Sequence, residues 1–347
     1  MTKAVVICPG RGTYNKPELG YLHRHFPDQD LLRSFDTQRS ARGEAPLTEL
    51  DGADKFSLSR HTRGDNASGL IYAATLGDFL TIDRDTIEIV AITGNSMGWY
   101  SALALAGALS PRDGFELVNT MGALMQEAMI GGQLVYPITG DNWVPEPEKR
   151  REIMNLIARI DERDDCVLTV SIDLGGMLVL AGNHHGLDTF KQAVPQIDGR
   201  YPMVLANHAA FHSHLQGPVA EKGRAALSDG LFASPDLPLV DGRGAIWWPG
   251  ATKTAALWEY TLGHQVTETY DFARAIAVAA REFAPDLFIV TGPGTTLGGA
   301  VAQSLIAADW QGMQGKDDFK TRQQSDPILI SMGMDDQRGR VTKEKNT

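Results

Sequence analysis

The chain has 347 residues, long enough for two or three ordinary domains or for one large domain carrying an insert. With 43% apolar and 22% charged residues its composition is globular, which excludes disordered and low-complexity architectures. A formal charge of −11, from 32 basic against 43 acidic residues, excludes a general nucleic-acid binder, because phosphate neutralisation needs clustered Lys and Arg.

In chain order, residues 3–8 (KAVVIC) read as a buried strand that stops at Pro9-Gly10 and feeds the turn Gly10-Arg11-Gly12. Residues 14–65 are polar and punctuated by Gly, Pro and Asp, so loops and short helices are expected. Residues 66–80 carry helical spacing with Asn66 as the expected N-cap. A second buried strand at 87–93 (IEIVAIT) runs into Gly94-Asn95-Ser96-Met97-Gly98 and then into a helical pattern over 99–109. Ser110-Pro111 opens another helix to about Met129.

From 131 to 201 the texture changes. Strands are expected at 134–138, 167–172 and 177–181, and helices at 148–160 and 187–194, the pattern of a small α+β insert. A strand at 203–206, helices over 215–227, 251–260 and 272–280, a strand at 286–291, the turn Gly292-Pro293-Gly294 and a helix at 296–307 follow. Residues 327–332 (PILISM) read as an edge strand. This rhythm of strand, glycine turn and helix is that of an α/β fold, a parallel sheet covered by helices. No apolar run approaches the ~18 residues of a membrane span. The first residues, MTKAVVICPG, carry too short an apolar stretch for an export signal. Two cysteines, Cys8 and Cys166, are too few for a disulfide framework or a cysteine-based metal site. A cytoplasmic setting is expected.

Gly94-x-Ser96-x-Gly98 between a strand and a helix is the nucleophile-elbow pattern in the context it requires. Glycines suit so sharp a turn, and the following helix points free N–H groups and its dipole at the serine. A serine hydroxyl needs a base. His212, between a strand and a helix, stands where sheet enzymes present functional groups; on local sequence alone His208 and His214 compete with it. The turn at Gly10-Arg11-Gly12 is the natural source of a second oxyanion donor.

Together these segments resemble the malonyl-CoA:acyl-carrier-protein transacylases of fatty-acid synthesis and the acyltransferase domains of polyketide synthases. CPGRG (8–12) is similar to the family's PGQG turn, and GNSMGWYSALALAGALS (94–110) to its GHSLGEYSALVAAGALS segment. LVNTMGALMQEA (117–128) resembles the helix that follows, MLVLAGN (177–183) a VVIAGN strand, and AAFHSHLQGPVA (209–220) a GAFHSPLMEPA stretch. HQVT (264–267) and GPGTTLGG (292–299) resemble PVQWT and GPGKVLTG. The resemblance implies a large α/β-hydrolase-like domain (1–130 and 202–347) with a small ferredoxin-like insert (131–201).

It also implies Ser96 as nucleophile and His212 as base, the His oriented by a backbone carbonyl near Gln265 in place of a buried acid. The N–H groups of Arg11 and Met97 would form the oxyanion hole, with Arg11, Asn95, Met121 and Phe211 around the substrate. No metal and no bound cofactor are implied; acyl-CoA is the substrate, and the phosphopantetheine thiol of an acyl carrier protein receives the acyl group. This chain departs from the family pattern at Arg11, Asn95 and Trp99. It also places Met121 where the family has a carboxylate-binding arginine. Met offers an apolar, adaptable surface where Arg offers a planar fork, so either the acyl group is uncharged or another cation, Arg11 first, replaces it. An acidic carrier calls for a basic patch, expected at Lys149–Arg151, with 60–63 a second basic stretch. Two other readings are open: an acyl-thioester hydrolase acting on carriers, and a catalytically degenerate partner protein. An ordinary α/β-hydrolase is disfavoured, because its His sits later in the chain.

Overall fold

Residues 4–8 are all apolar, so the strand they form has no polar face and is stable only where both faces are covered. A computed structural model, which describes residues 1–343, places them at the centre of a sheet with all five fully buried. The strands are β1 (Thr2–Cys8), β2 (Ile87–Gly94), β3 (Gly132–Pro137), β4 (Leu168–Asp173), β5 (Met177–Gly182), β6 (Met203–Val204), β7 (Leu239–Val240), β8 (Ile246–Trp247), β9 (Tyr270–Asp271), β10 (Leu287–Val290) and β11 (Leu329–Ser331).

The large sheet has the order β11-β10-β1-β2-β7-β8 and is parallel except for β8. Its register sets Cys8 level with Gly94 and Ile7 level with Val290. The turns after β1, β2 and β10 therefore emerge side by side at the carboxyl edge, where open α/β sheets carry their sites. Helices Gly64–Thr81, Gly98–Leu105 and Pro111–Ala128 pack on one another, and Phe272–Phe283 packs on Leu297–Ala307. The first of these is apolar around most of its circumference and is buried accordingly.

The smaller sheet has the order β6-β3-β5-β4-β9. Its three long strands, β3, β5 and β4, are antiparallel, and helices Pro147–Asp161 and His184–Ala193 pack against them. It takes β6 and β9 from outside residues 131–201, and β9 runs parallel to β4. Positions 344–347, the end of the expected large domain, lie outside the described residues.

Several expectations need correction. The helix expected from Asn66 begins at Gly64 with Arg63 as its N-cap. Asn66 is inside it, its side chain donating to the Arg60 carbonyl and accepting from Arg39. The helix expected over 99–109 stops at Leu105, and Gly107 takes φ 79°, a conformation that suits glycine. Gln29–Ala41, within the stretch expected to hold only short helices, is a 13-residue helix. Among the described residues no helix is long and apolar enough to cross a membrane.

Candidate active site

The turn after β2 is built by close approach. A Cβ on Gly94 would collide with the backbone of Gly98, and one on Gly98 with the carbonyl of Cys8. A Cβ on Gly10 would lie 2.6 Å from the Asn95 carbonyl oxygen. Glycine at these three positions lets the first two turns pack backbone to backbone. Between them Ser96 is held at φ 55°, a left-handed conformation that costs a non-glycine residue free energy and presents its hydroxyl away from the sheet.

The segment 209–214 brings the imidazole to it. The Ala210 N–H donates to the Ile130 carbonyl, the Ser213 hydroxyl to the Ala210 carbonyl, and His212 itself sits at φ 54°. His212 Nε2 lies 2.7 Å from Ser96 Oγ, and Nδ1 lies 2.6 Å from the Gln265 carbonyl oxygen. A carbonyl only accepts, so Nδ1 carries the proton and Nε2 is the acceptor facing the serine. Burial lowers the His212 pKa to about 4, a fall that the Gln265 carbonyl moderates. His214 is exposed. His208 lines the adjoining cavity, but its Nδ1 is 2.8 Å from Gln133 Oε1, and burial and the Arg11 charge lower its pKa to about 3.

Two cavities meet at Ser96. A channel of about 480 Å³ runs from Gly10, Asn95 and Ser96 past Val179, Leu205 and Leu297, between the two sheets. A pocket of about 20 Å³ is lined by Ser96, Met97, His212 and Gln265 together with Arg11, Met121 and Phe211. Seven of the eight residues singled out from the sequence thus converge on the pocket, and Asn95 lines only the channel. Among the described residues no hydrogen bond takes up the backbone N–H of Met97 or Arg11. Met121 is buried, and its side chain faces Gly223 and the pocket.

The Gln265 side chain and residues that sequence reasoning did not single out brace this arrangement. The Gln265 side chain donates to the Ser96 carbonyl at 3.1 Å and accepts from the Tyr100 hydroxyl at 2.9 Å. Tyr270 in β9 donates to the Gly94 carbonyl at 2.6 Å, and its ring lies 5.4 Å from that of His212. Gln133 donates to Ser171, and Ser171 to the Phe211 carbonyl, next to the histidine. A π-helical turn at Tyr260–His264 delivers Gln265, the kind of helix irregularity often found beside functional groups. Apart from Gln265, none of these residues carries a local sequence signal, because each matters through a partner far along the chain.

In the expected docking patch both arginines are paired, while Lys149 forms no ion pair among the described residues. Arg150 pairs with Asp173 at 2.5 Å and Arg151 with Glu148 at 2.8 Å; in the other basic stretch Arg60 pairs with Glu49 and Arg63 with Asp65. Among the described residues no group of His, Cys, Asp and Glu is placed to hold a metal ion, and Cys8 and Cys166 are both buried thiols.

No protein-family model matches the sequence. The chain is 27% identical over 303 residues to the malonyl CoA-acyl carrier protein transacylase of Bacillus subtilis (strain 168), covering 87% of this chain and 90% of that protein. It is 28% identical over 247 residues to the protein of the same name from Haemophilus influenzae, covering 70% and 74%. Among solved structures, the malonyl-CoA:ACP transacylase of Synechocystis sp. PCC 6803 superposes with a TM-score of 0.74 at 16% identity, over 98% of this chain and all of that one. These likenesses run along most of the chain and agree with its large α/β-hydrolase-like domain and small ferredoxin-like subdomain.

Proposed function

We propose that the chain is an acyltransferase of the malonyl-CoA:acyl-carrier-protein transacylase family, moving a malonyl or related acyl group from coenzyme A to the phosphopantetheine thiol of an acyl carrier protein. The observation that carries this reading is the contact of Ser96 Oγ with a deprotonated, backbone-oriented His212 Nε2 on a nucleophile elbow. The similarity to transacylases along most of the sequence supports it.

Acyl-CoA enters the channel with its thioester carbonyl at Ser96. His212 Nε2 takes the Ser96 proton as Oγ attacks, and the oxygen of the tetrahedral adduct is stabilised by the N–H groups of Met97 and Arg11. The C–S bond breaks, His212 returns the proton to the departing thiolate, and the acyl group is left as an ester on Ser96. The carrier thiol then gives its proton to His212 and attacks the ester carbonyl; the acyl C–Oγ bond breaks, His212 returns the proton to Ser96 Oγ, and the carrier leaves with the acyl group as a thioester. Charge resides on His212 only within each step. A neighbouring carbonyl therefore suffices to orient the ring and to accept from the imidazolium, with no buried acid. The segment 131–201 acts in this scheme as the lid over the channel.

Intact-mass measurement after mixing with malonyl-CoA tests this. The expected adduct is one malonyl ester per chain, absent in Ser96→Ala and discharged by a carrier thiol much faster than by water. No adduct removes the reading, and discharge by water alone turns the protein into a thioester hydrolase.

A further inference from the structure

The pocket beside Ser96 holds one group that acyl transfer does not by itself require. Arg11 reaches into it from the turn after β1. Nη2 donates to the carbonyls of Thr62 (3.2 Å) and Asn207 (2.9 Å), and the guanidinium lies 5.2 Å from the centre of the Phe211 ring. Nη1 is sealed from solvent and has no hydrogen-bond partner. Among the described residues Arg11 forms no ion pair. Its nearest acid, Asp65, is already held by both Nε and Nη2 of Arg63, at 3.1 and 2.8 Å.

A buried guanidinium with a free N–H is costly unless a ligand satisfies it. The rest of the pocket lining holds no other Lys or Arg and no Asp or Glu. Its remaining walls include Val118, Met121, Met125 and Val266, which are apolar. The open space there, about 20 Å³, excludes a long chain, and at Ser96 it adjoins the channel of about 480 Å³, which Arg11 also lines. The one cationic side chain of the lining is thus planar and carries an unused N–H, the complement of a terminal carboxylate.

Resting on the acyl-transfer reading above, we infer that Arg11 is the specificity-determining residue of the acyl pocket and that it selects a short acyl group ending in a carboxylate. Recognition comes from the turn after the first strand. On the helix Pro111–Ala128 the facing position is Met121, which supplies only apolar contact.

The experiment compares Ser96 acylation rates, by intact mass, for malonyl-CoA and for acetoacetyl-CoA, which has nearly the same shape and a methyl ketone in place of the carboxylate. The wild-type chain should prefer malonyl by about 100-fold, the worth of one charge-assisted contact. Arg11→Met should abolish that preference by slowing malonyl transfer, and Arg11→Lys should restore part of it. Equal acylation of the wild type by both thioesters overturns the assignment and leaves acyl transfer standing. Equal slowing of both in a folded Arg11→Met chain overturns it too. Should Arg11→Met fail to fold, the wild-type ratio and Arg11→Lys decide. Acylation by neither thioester removes the acyl-transfer reading and this inference with it.

Discussion

Burial lowers the His212 pKa from an ordinary 6.5 to about 4, and the sign of that shift matters for the proposed chemistry. The base is the neutral imidazole. With the lowered value nearly all of it is neutral at pH 6, so acylation should stay flat from pH 6 to 8 and fall on an acid limb near 4. The same shift weakens the fold in acid: the unfolded chain binds this proton first, so stability is full above about 6.5 and declines as pH falls towards 4. That loss is about 3 kcal/mol by pH 4. The rate is therefore best read in a stopped-flow burst, before unfolding. A limb centred at 6.5 would mean an imidazole in contact with water and would contradict the geometry. At this scale Ser96 was legible, because its turn imposes glycine on both sides. His212 was separable from His208 only through the family resemblance of its segment. What distinguishes the two in space is a partner: the Gln265 carbonyl for one and the Gln133 side chain for the other.

Elements depend on close approach as much as on pattern. The elbow is pressed against the end of β1, so a methyl group at Gly98 meets the carbonyls of Cys8 and Pro9 with no flexible atom to yield. Gly98→Ala should cost about 3 kcal/mol or more, because backbone must move to relieve the overlap. It should also displace Ser96 from His212 and remove acylation in whatever fraction folds. Urea denaturation beside the burst assay checks both, and a variant with native stability and a native burst contradicts the argument. The long buried strands and the helix opened by Ser110-Pro111 were legible, since each carries an apolar run or a cap. β7, β8 and β9, each two residues long, were not legible because so short a strand shows no periodicity, and of the strand expected over 203–206 only Met203–Val204 forms. The helix Lys316–Ser325 was missed because it has no buried residue and so no apolar stripe. β9 illustrates the cost of such a miss. Its Tyr270 ties the small sheet to the elbow, and that link was invisible while its strand was.

Across the whole molecule, one buried charge gathers the beginning, middle and end of the chain. The Asp78 carboxylate accepts from the Tyr21 hydroxyl at 2.8 Å, from the Gly292 N–H at 2.6 Å and from the Arg338 guanidinium. Arg338 also donates to Tyr21 at 2.7 Å. These contacts fasten the turn after β10 and the C-terminal segment onto the helix Gly64–Thr81. Desolvation raises the Asp78 pKa, and the pairing with Arg338 opposes that rise. Arg338→Ala removes the cation and leaves a carboxylate that water does not reach. The expected loss at pH 7 is about 3–5 kcal/mol, the range for breaking a buried ion pair from one side. Asp78→Asn in the same chain should recover part of it, since an amide needs no counter-charge. The loss should shrink as pH falls, because an unpaired Asp78 gains its proton at higher pH than the unfolded carboxyl does. Urea midpoints at pH 7 and pH 5.5 for the single and double variants test both statements. A single variant with the wild-type midpoint, or a loss equal at both pH values, would show that the charge is solvated and that the C-terminal segment is held by apolar packing alone.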